Sequence, residues 1–281
     1  MAPNIDAPSI DAHVHFWQLS RGDYDWLTPD FKAIYRDFAP ADLDPLRRSQ
    51  GIDGVVLVQA AATVAETEYM LGLAAETPWV RGVVGWVDLA DRAAPVEMAR
   101  LAANPRLKGL RPMIQDIPDD DWMLRADLDP AFRALLDLDL CFDALTLPRH
   151  LKNLLALLDR YPDLRTVICH GSKPQIRDRA FEAWAADMTA LARETGALCK
   201  LSGLVTEAAA DWRQGDLRPY VDHLLATFGP DRLIWGSDWP VCTLAASYDA
   251  WHAAAVSLTA DLSESEKAAV FGGTAQAFYR L

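Results

Sequence analysis

The sequence predicts an α/β protein, a single (β/α)8 TIM barrel with a long loop after the first strand and a closing helix at the C-terminus. Three observations support this prediction. The chain has 281 residues, a length that such barrels commonly reach as one unit. Eight short apolar runs, several nearly continuous in Val, Ile and Leu, indicate strands that are covered on both faces. Amphipathic segments separate these runs, as expected for a parallel barrel.

The eight apolar runs are spread over the whole chain. They comprise residues 9–16, 54–60, 80–87, 107–113, 140–145, 165–170, 197–202 and 232–237. Helices are predicted where apolar residues recur with helical spacing, most clearly over residues 130–138, 150–161, 181–194 and 219–228. We find no linker and no repeat beyond this alternation, so we assign residues 1–281 to one domain.

Three segments extend beyond a minimal barrel. Residues 17–40 follow the first strand and are long and rich in aromatic residues, as functional lids often are. Residues 116–129 are acidic and follow the fourth strand. Residues 263–281 are predicted as the closing helix, because Ser263 and Glu266 have the spacing of a capping box.

An open, doubly wound parallel sheet is the structural alternative, since it produces the same alternation of strands and helices. The nucleotide-binding versions of that fold carry a G-x-G-x-x-G or P-loop motif. Neither motif occurs in this sequence. The closed barrel is therefore favoured.

The composition argues against several classes of partner. The formal net charge is −13 and the pI is about 4.8, so the surface repels phosphate backbones and anionic lipids. We expect neither nucleic acid nor a membrane as a partner. Residues 1–9 lack the pattern of a signal peptide, and no apolar run has the length of a membrane span. We expect a cytoplasmic protein, and the sequence leaves open whether it is a homo-oligomer. The four cysteines are predicted to be buried thiols rather than disulfides: Cys141, Cys169, Cys199 and Cys242.

Candidate catalytic residues lie at the ends of three predicted strands. The first strand ends in the motif D-A-H-V-H, and alternate residues of a strand face the same side. His13 and His15 should therefore point together, with Asp11 deeper on the same face. His170 ends the sixth apolar run and Asp238 follows the eighth. Because the carboxyl ends of barrel strands form the active site, we expect these histidines and Asp238 to meet at the mouth.

Longer stretches around these residues resemble the amidohydrolase superfamily. Residues 11–17 (D-A-H-V-H-F-W), 21–27 (R-G-D-Y-D-W-L) and 235–242 (W-G-S-D-W-P-V-C) resemble its sugar-lactonase branch in particular, which includes L-fuconolactonases and L-rhamnonolactonases. Shorter matches occur at residues 108–111, 199–204 and 228–233. The resemblance implies a (β/α)8 fold, a small-molecule lactone of a sugar acid as substrate, and a catalytic centre at His13, His15, His170 and Asp238.

The sequence also departs from this branch. The branch usually has Asp before the histidine of the sixth strand, and here Cys169 precedes His170. It often has His after the arginine of the fourth strand, and here Pro112 follows Arg111. Both changes lie near the predicted mouth, so the particular lactone and its ring size stay open.

Two versions of the chemistry are open. In the first, His13, His15 and His170 hold one divalent metal, with Zn²⁺ the first candidate. Asp238 then contacts the ion or its water as general base, since a metal lowers the pKa of bound water to about 7. In the second the metal is dispensable, Asp238 activates water directly, and the imidazoles donate hydrogen bonds to the oxyanion. Members of the branch differ in their need for a metal, so the resemblance does not decide between the versions.

Further residues near strand ends are candidates for contacts with the substrate. Arg111 is a third candidate catalytic group beside Asp238 and His170, because it could assist the oxyanion. Two lysines could orient substrate oxygens, and four aromatic residues could stack on a sugar ring: Lys173, Lys200, Tyr24, Trp26, Trp86 and Trp239. Ion pairs within the barrel and ordinary packing are the alternative roles for these side chains.

Two other functions stay open. Related barrels use a similar set of His and Asp residues in metal-dependent decarboxylases or hydratases of aromatic or unsaturated acids. A sugar-acid-binding protein without catalysis is the second alternative. Intact residues at all four central positions disfavour this second alternative.

Overall fold

In the computed structural model, which describes residues 8–281, eight parallel strands form one sheet in sequential order. They are β1 (Ile10–Val14), β2 (Gly54–Val58), β3 (Val80–Gly85), β4 (Leu107–Leu110), β5 (Cys141–Ala144), β6 (Thr166–Ile168), β7 (Leu198–Leu201) and β8 (Leu233–Trp235). Each strand lies within one predicted apolar run. The predicted number and order of strands are therefore confirmed.

The sheet closes between β8 and β1 through the segment that follows β8. The backbone nitrogen of His15 donates to the Trp239 carbonyl over 2.8 Å, and that of Asp238 donates to the His13 carbonyl over 2.8 Å. These bonds pair backbone groups that an open sheet would leave exposed at its edges. The prediction of a closed (β/α)8 barrel is confirmed.

Helices surround the barrel and connect its strands. They are α1 (Pro40–Ser49), α2 (Val64–Glu76), α3 (Ala94–Ala102), α4 (Asp129–Asp137), α5 (Leu151–Arg160), α6 (Glu182–Glu194), α7 (Leu204–Glu207), α8 (Gln214–Phe228), α9 (Tyr248–Leu258), α10 (Glu264–Ala268) and α11 (Thr274–Tyr279). Three of the four clearest predicted helices agree within one residue. The fourth, α8, starts earlier than predicted because Asp216 accepts a hydrogen bond from the Arg213 backbone at 2.8 Å and caps the helix there.

The closing element at the C-terminus is a pair of short helices rather than one. The capping box is present, since the backbone nitrogen of Ser263 donates to Glu266 over 2.8 Å. A π-helical turn (Ala269–Gly273) then separates α10 from α11. At this turn a Cβ on Gly272 would lie 2.0 Å from the Pro8 carbonyl oxygen. Helix α11 continues under the barrel, where Tyr279 packs with the apolar interior residues of the strands.

The loop after β1 folds back onto the barrel. Trp17 and Phe38 exchange backbone hydrogen bonds of 3.0 and 2.9 Å at its base. Between them, Tyr24, Leu27 and Ile34 are buried. The loop is therefore a packed wall over the carboxyl end of the barrel, consistent with the predicted lid.

Other expectations concern the chain as a whole. All four cysteines are free and buried, as predicted. Among the helices described, none combines the length and apolar character needed to cross a membrane. The expectation that residues 1–9 are not a signal peptide falls mostly on residues 1–7, which lie outside the described residues. The assignment of residues 1–281 to one domain stays a prediction.

Candidate active site

Three histidines surround one carboxylate at the carboxyl end of the barrel. Oδ1 of Asp238 lies 3.8 Å from Nε2 of His13, 3.3 Å from Nε2 of His15 and 3.9 Å from Nε2 of His170. All four side chains are buried. The structure thus brings together the four residues that the strand-end pattern singled out.

A β-bulge in β1 sets the direction of the two histidines. Asp11 pairs with Val55 and Val14 with Leu57, so β1 has one residue more than β2 between these pairs. The extra residue turns Asp11 away from the site, and its carboxylate accepts a hydrogen bond from Tyr248 of α9 over 3.1 Å. The expectation that Asp11 lies on the same face as the histidines is wrong, because a bulge interrupts the alternation.

Left-handed backbone turns place His170 and Asp238. Their φ angles are 55° and 59°, so each chain turn directs its side chain back over the barrel axis. Gly203, which follows β7, makes room for the His170 ring. A Cβ at Gly203 would lie 2.5 Å from the His170 Nδ1, and φ there is +65°. Glycine is thus required at this position for two reasons.

Hydrogen-bond partners orient two of the imidazoles. Nδ1 of His15 donates to the Val58 carbonyl over 2.7 Å, which leaves the Nε2 lone pair directed at Asp238. Nδ1 of His170 lies 2.9 Å from the Ser202 hydroxyl. Both Nε2 atoms therefore face the cavity, where a proton, a metal ion or a substrate can meet them.

Burial keeps the histidines neutral. Removal from water lowers the pKa of His170 to about 3 and holds that of His13 well below 6.5. Burial alone would raise the pKa of Asp238, but the neighbouring His170, His15 and Lys173 outweigh burial and hold that pKa below 3.8. At neutral pH the centre consists of an ionised carboxylate among neutral imidazoles, which suits a general base.

Part of this centre fits a divalent metal ion. The ligand atoms of His13, His15 and Asp238 lie within 4.8 Å of one another, so one ion could bridge them. The lone pair of His15 faces Oδ1 of Asp238, and two acceptors at 3.3 Å need a proton or a cation between them. His13 fits less well, because its Nδ1 already lies 3.2 Å from the Lys200 ammonium nitrogen. His170 lies outside this three-residue group.

Arg111 brings positive charge to the same point. Its Nη2 donates to the Gln59 carbonyl, and Gln59 in turn donates to the Arg111 carbonyl over 2.7 Å. Its Nη1 lies 3.3 Å from Nε2 of His13, and its Nε has no hydrogen-bond partner among the described residues. A buried guanidinium with free donors is able to bind a carbonyl oxygen or an oxyanion.

Most of these groups line a cavity of about 230 Å³, but His13 is fully buried and does not line it. Predicted site residues that line it are His15, Trp26, Arg111, His170, Lys173 and Asp238. The other lining residues were not singled out from the sequence, and most are apolar: Phe31, Ala60, Met113, Gln115, Asp116, Leu145, Val241 and Leu244. Phe31 belongs to the predicted lid, but only the folded chain shows that it faces the cavity.

Four predicted substrate-binding residues do not line the cavity. Tyr24 is buried and donates its hydroxyl hydrogen to Glu66 over 2.7 Å. Trp239 packs between Phe16 and Phe38. Lys200 is fully buried beneath His13. Trp86 is held through its backbone by Thr67 on α2.

A closed barrel with an H-x-H pair at the end of β1 and an aspartate after β8 defines a class, the amidohydrolase-type (β/α)8 enzymes. The model of the amidohydrolase family matches residues 10–281. The chain belongs to the amidohydrolase family.

Two relatives in particular are similar over nearly the full chain. An L-fucono-1,5-lactonase of Burkholderia ambifaria is 47% identical over 97% of this chain and 95% of its own length. An L-fucono-1,5-lactonase of Burkholderia multivorans is 39% identical over 99% of this chain and 97% of its own.

Solved structures agree with the fold. A crystal structure of an amidohydrolase from Burkholderia multivorans with bound zinc has a TM-score of 0.91, 36% identity, and coverage of 98% of this chain and 100% of that one. A 5-carboxyvanillate decarboxylase from Novosphingobium aromaticivorans, 16% identical with a TM-score of 0.69 over 99% of this chain and 97% of its own, shows the shared fold alone.

Proposed function

We propose that this enzyme hydrolyses a sugar-acid lactone of the L-fucono-1,5-lactone type, using a water molecule that Asp238 activates. The chain is a lactone-hydrolysing enzyme of the amidohydrolase family. Both curated relatives carry this activity in their names and align with nearly the whole chain. Their agreement supports the same reaction here.

The buried, ionised Asp238 is the observation that carries the proposal. Its carboxylate lies on the cavity floor, within 3.9 Å of three imidazole nitrogens and accessible from the cavity. A carboxylate in this position can accept a proton from a water molecule that approaches a bound carbonyl carbon. Arg111, and an imidazole that carries its hydrogen on Nε2, can then stabilise the negative oxygen.

The proposed reaction has two steps. As the water oxygen bonds to the lactone carbonyl carbon, one of its protons passes to Asp238 and the carbonyl electron pair moves onto oxygen. Arg111, which lines the cavity and whose Nε has no hydrogen-bond partner among the described residues, stabilises that charge. When the carbonyl re-forms, the bond to the ring oxygen breaks, and Asp238 returns the proton to the leaving oxygen. The product is the open-chain sugar acid.

The cavity walls fit a 6-deoxy sugar. Its apolar part, which includes Trp26 and Leu145, can hold a ring face or a methyl group. Gln115, Asp116 and Lys173 also line the cavity and provide hydrogen-bonding groups for hydroxyls. We infer that a neutral lactone with one methyl group suits this cavity better than a dicarboxylate.

We further propose zinc as the divalent ion that this centre binds, as the similar zinc-bound structure supports. His15 and Asp238 would hold it, and His13 would join if its Nε2 lone pair were free. A bound ion would polarise the lactone carbonyl and lower the pKa of water. The proton transfers assigned to Asp238 do not require the ion, so we propose that it is dispensable.

A lactone panel tests the proposed function. Purified protein is assayed by pH-stat against 1,5- and 1,4-lactones, with and without a 6-deoxy group, and metal content is measured on the same sample. We expect the highest kcat/KM with L-fucono-1,5-lactone. Turnover of an aromatic acid without any lactone hydrolysis would contradict the proposal. A cytoplasmic location, the absence of nucleic-acid or membrane partners and a homo-oligomeric state stay predictions.

A further inference from the structure

Lys200 lies inside the barrel and cannot touch a substrate in the cavity. It belongs to β7, its side chain is fully buried, and it does not line the cavity. A buried ammonium group is costly unless every hydrogen has an acceptor. Its surroundings therefore indicate what it does.

Three acceptors surround the Lys200 ammonium nitrogen. They are Oδ2 of Asp143 at 2.7 Å, the carbonyl oxygen of Ala12 at 3.1 Å and Nδ1 of His13 at 3.2 Å. An ammonium group has three hydrogens and no lone pair, so it can only donate. The Arg111 guanidinium, also donor-only, lies 3.3 Å from Nε2 of the same ring, but Arg111 lines the cavity, where its hydrogen can reach another acceptor. The fully buried Lys200 has no third acceptor other than Nδ1 among the described residues. Nδ1 of His13 therefore accepts, and a neutral imidazole that accepts at Nδ1 carries its hydrogen on Nε2.

We propose that Lys200 is a positioning residue that fixes His13 in the tautomer with its hydrogen on Nε2, directed into the active site. The carboxylate of Asp143 on β5 holds the ammonium group in place. Tyr279 of α11 donates to that carboxylate over 2.8 Å. A chain of buried contacts thus runs from the closing helix to a histidine of the catalytic centre.

This tautomer has two consequences for the centre, and the first of them rests on the proposed function. Nε2 of His13 and Nη1 of Arg111 lie 3.3 Å apart, and when both carry hydrogen neither can accept from the other. Arg111, which lines the cavity, can then donate from Nη1 to a lactone oxygen. Nε2 of the fully buried His13 lies 3.8 Å from Oδ1 of Asp238, so its hydrogen faces the proposed general base. In addition, His13 cannot bind a metal through Nε2 until this hydrogen leaves, so Lys200 opposes metal binding.

The tautomer can be measured without substrate or metal. In chelator-treated protein with ¹⁵N-labelled histidine, long-range ¹H–¹⁵N correlations distinguish hydrogen on Nε2 from hydrogen on Nδ1. The His13 signals are assigned by their loss in His13→Gln. We expect hydrogen on Nε2. A wild-type spectrum with hydrogen on Nδ1 would overturn the proposal whatever the enzyme's substrate is.

A double variant tests the role of Lys200. Lys200→Met alone would leave Asp143 as an unpaired buried charge, so it is combined with Asp143→Asn, which keeps an acceptor for Tyr279. We expect His13 to shift toward Nδ1–H, zinc to bind at least about tenfold tighter, and kcat to fall about 100-fold. The single variant Lys200→Arg, which keeps a buried cation beside Asp143, should retain the wild-type tautomer of His13.

Lys108→Met is the matched control, because Lys108 is also a strand lysine that bonds to a backbone carbonyl, that of Arg280 at the base of the barrel. We expect it to leave the His13 signals and the zinc affinity unchanged. If the double variant retains the wild-type tautomer of His13 and the wild-type zinc affinity, Lys200 does not position His13, even when kcat falls. Circular dichroism of each variant confirms that it is folded.

Discussion

Tyr24, in the loop after β1, donates its hydroxyl hydrogen to the carboxylate of Glu66 on α2 over 2.7 Å. The other carboxylate oxygen of Glu66 accepts from the backbone nitrogen of Ala60 at 3.1 Å. The Ala60 carbonyl accepts from the indole nitrogen of Trp26 at 2.7 Å. Glu66 thus joins the loops after β1 and β2, and both contribute to the cavity wall.

The protonation of Glu66 should make stability depend on pH. Burial raises its pKa from 4.5 to about 7. The folded protein then keeps a proton that the unfolded chain loses above its ordinary pKa, so the free energy of unfolding falls as pH rises from about 4.5 to about 7. If the whole shift contributes, the free energy of unfolding falls by about 3 kcal/mol over this range.

We therefore expect Glu66→Gln to remove much of this decline, so the variant loses less stability than wild type between pH 5 and pH 8. Urea unfolding at the two pH values measures the difference. Glu76→Gln, at the exposed end of α2, is the control and should follow wild type. Equal slopes for Glu66→Gln and wild type would show that Glu66 is ionised throughout.

Replacing Asp238 by Asn should nearly abolish turnover. The amide is close to the carboxylate in size but cannot accept the proton of the attacking water, and loss of a general base costs about 100- to 10,000-fold in rate. Initial rates with the best lactone of the panel measure kcat. Asp249→Asn, an exposed change on α9, should retain wild-type kcat. If Asp238→Asn retained kcat within fivefold of wild type, Asp238 could not be the base.

Removal of bound metal should leave most of the activity. Asp238 is held by its backbone hydrogen bond to the His13 carbonyl over 2.8 Å, and Arg111 by Gln59, so their placement needs no ion. Loss of an essential metal would instead raise the activation free energy by several kcal/mol, which lowers the rate more than about 100-fold. The measurement is kcat of chelator-treated protein whose metal content has been determined, before and after zinc is added. A return of activity only with stoichiometric zinc would establish the metal-dependent version.

The sequence predicted the eight strands and the four central residues because both depend on local patterns. Apolar runs marked the strands, and His170 and Asp238 could be placed since strand ends of a barrel meet at one mouth. The rest depends on contacts between distant segments. Tyr24 and Trp26 lie in the same aromatic segment, yet only Trp26 lines the cavity, because Glu66 binds the Tyr24 hydroxyl. No local pattern encodes that choice.

Gly203→Ala should impair catalysis through His170 alone. The added Cβ would lie 2.5 Å from the His170 Nδ1, so the ring must leave its present position beside Asp238. Gly51 has a similar φ of +68°, with no heavy atom within 4 Å of a Cβ placed there. Gly51→Ala therefore controls for the cost of a left-handed alanine, about 1–2 kcal/mol. We expect Gly51→Ala to lose stability and keep its kcat. Gly203→Ala should lose stability as well, and its kcat should fall at least about 10-fold, because a 1 Å misplacement of a catalytic group can lower the rate about 100-fold. Thermal unfolding and initial rates on both variants provide the comparison. Unchanged kcat in Gly203→Ala would mean that the position of the His170 ring does not limit the reaction.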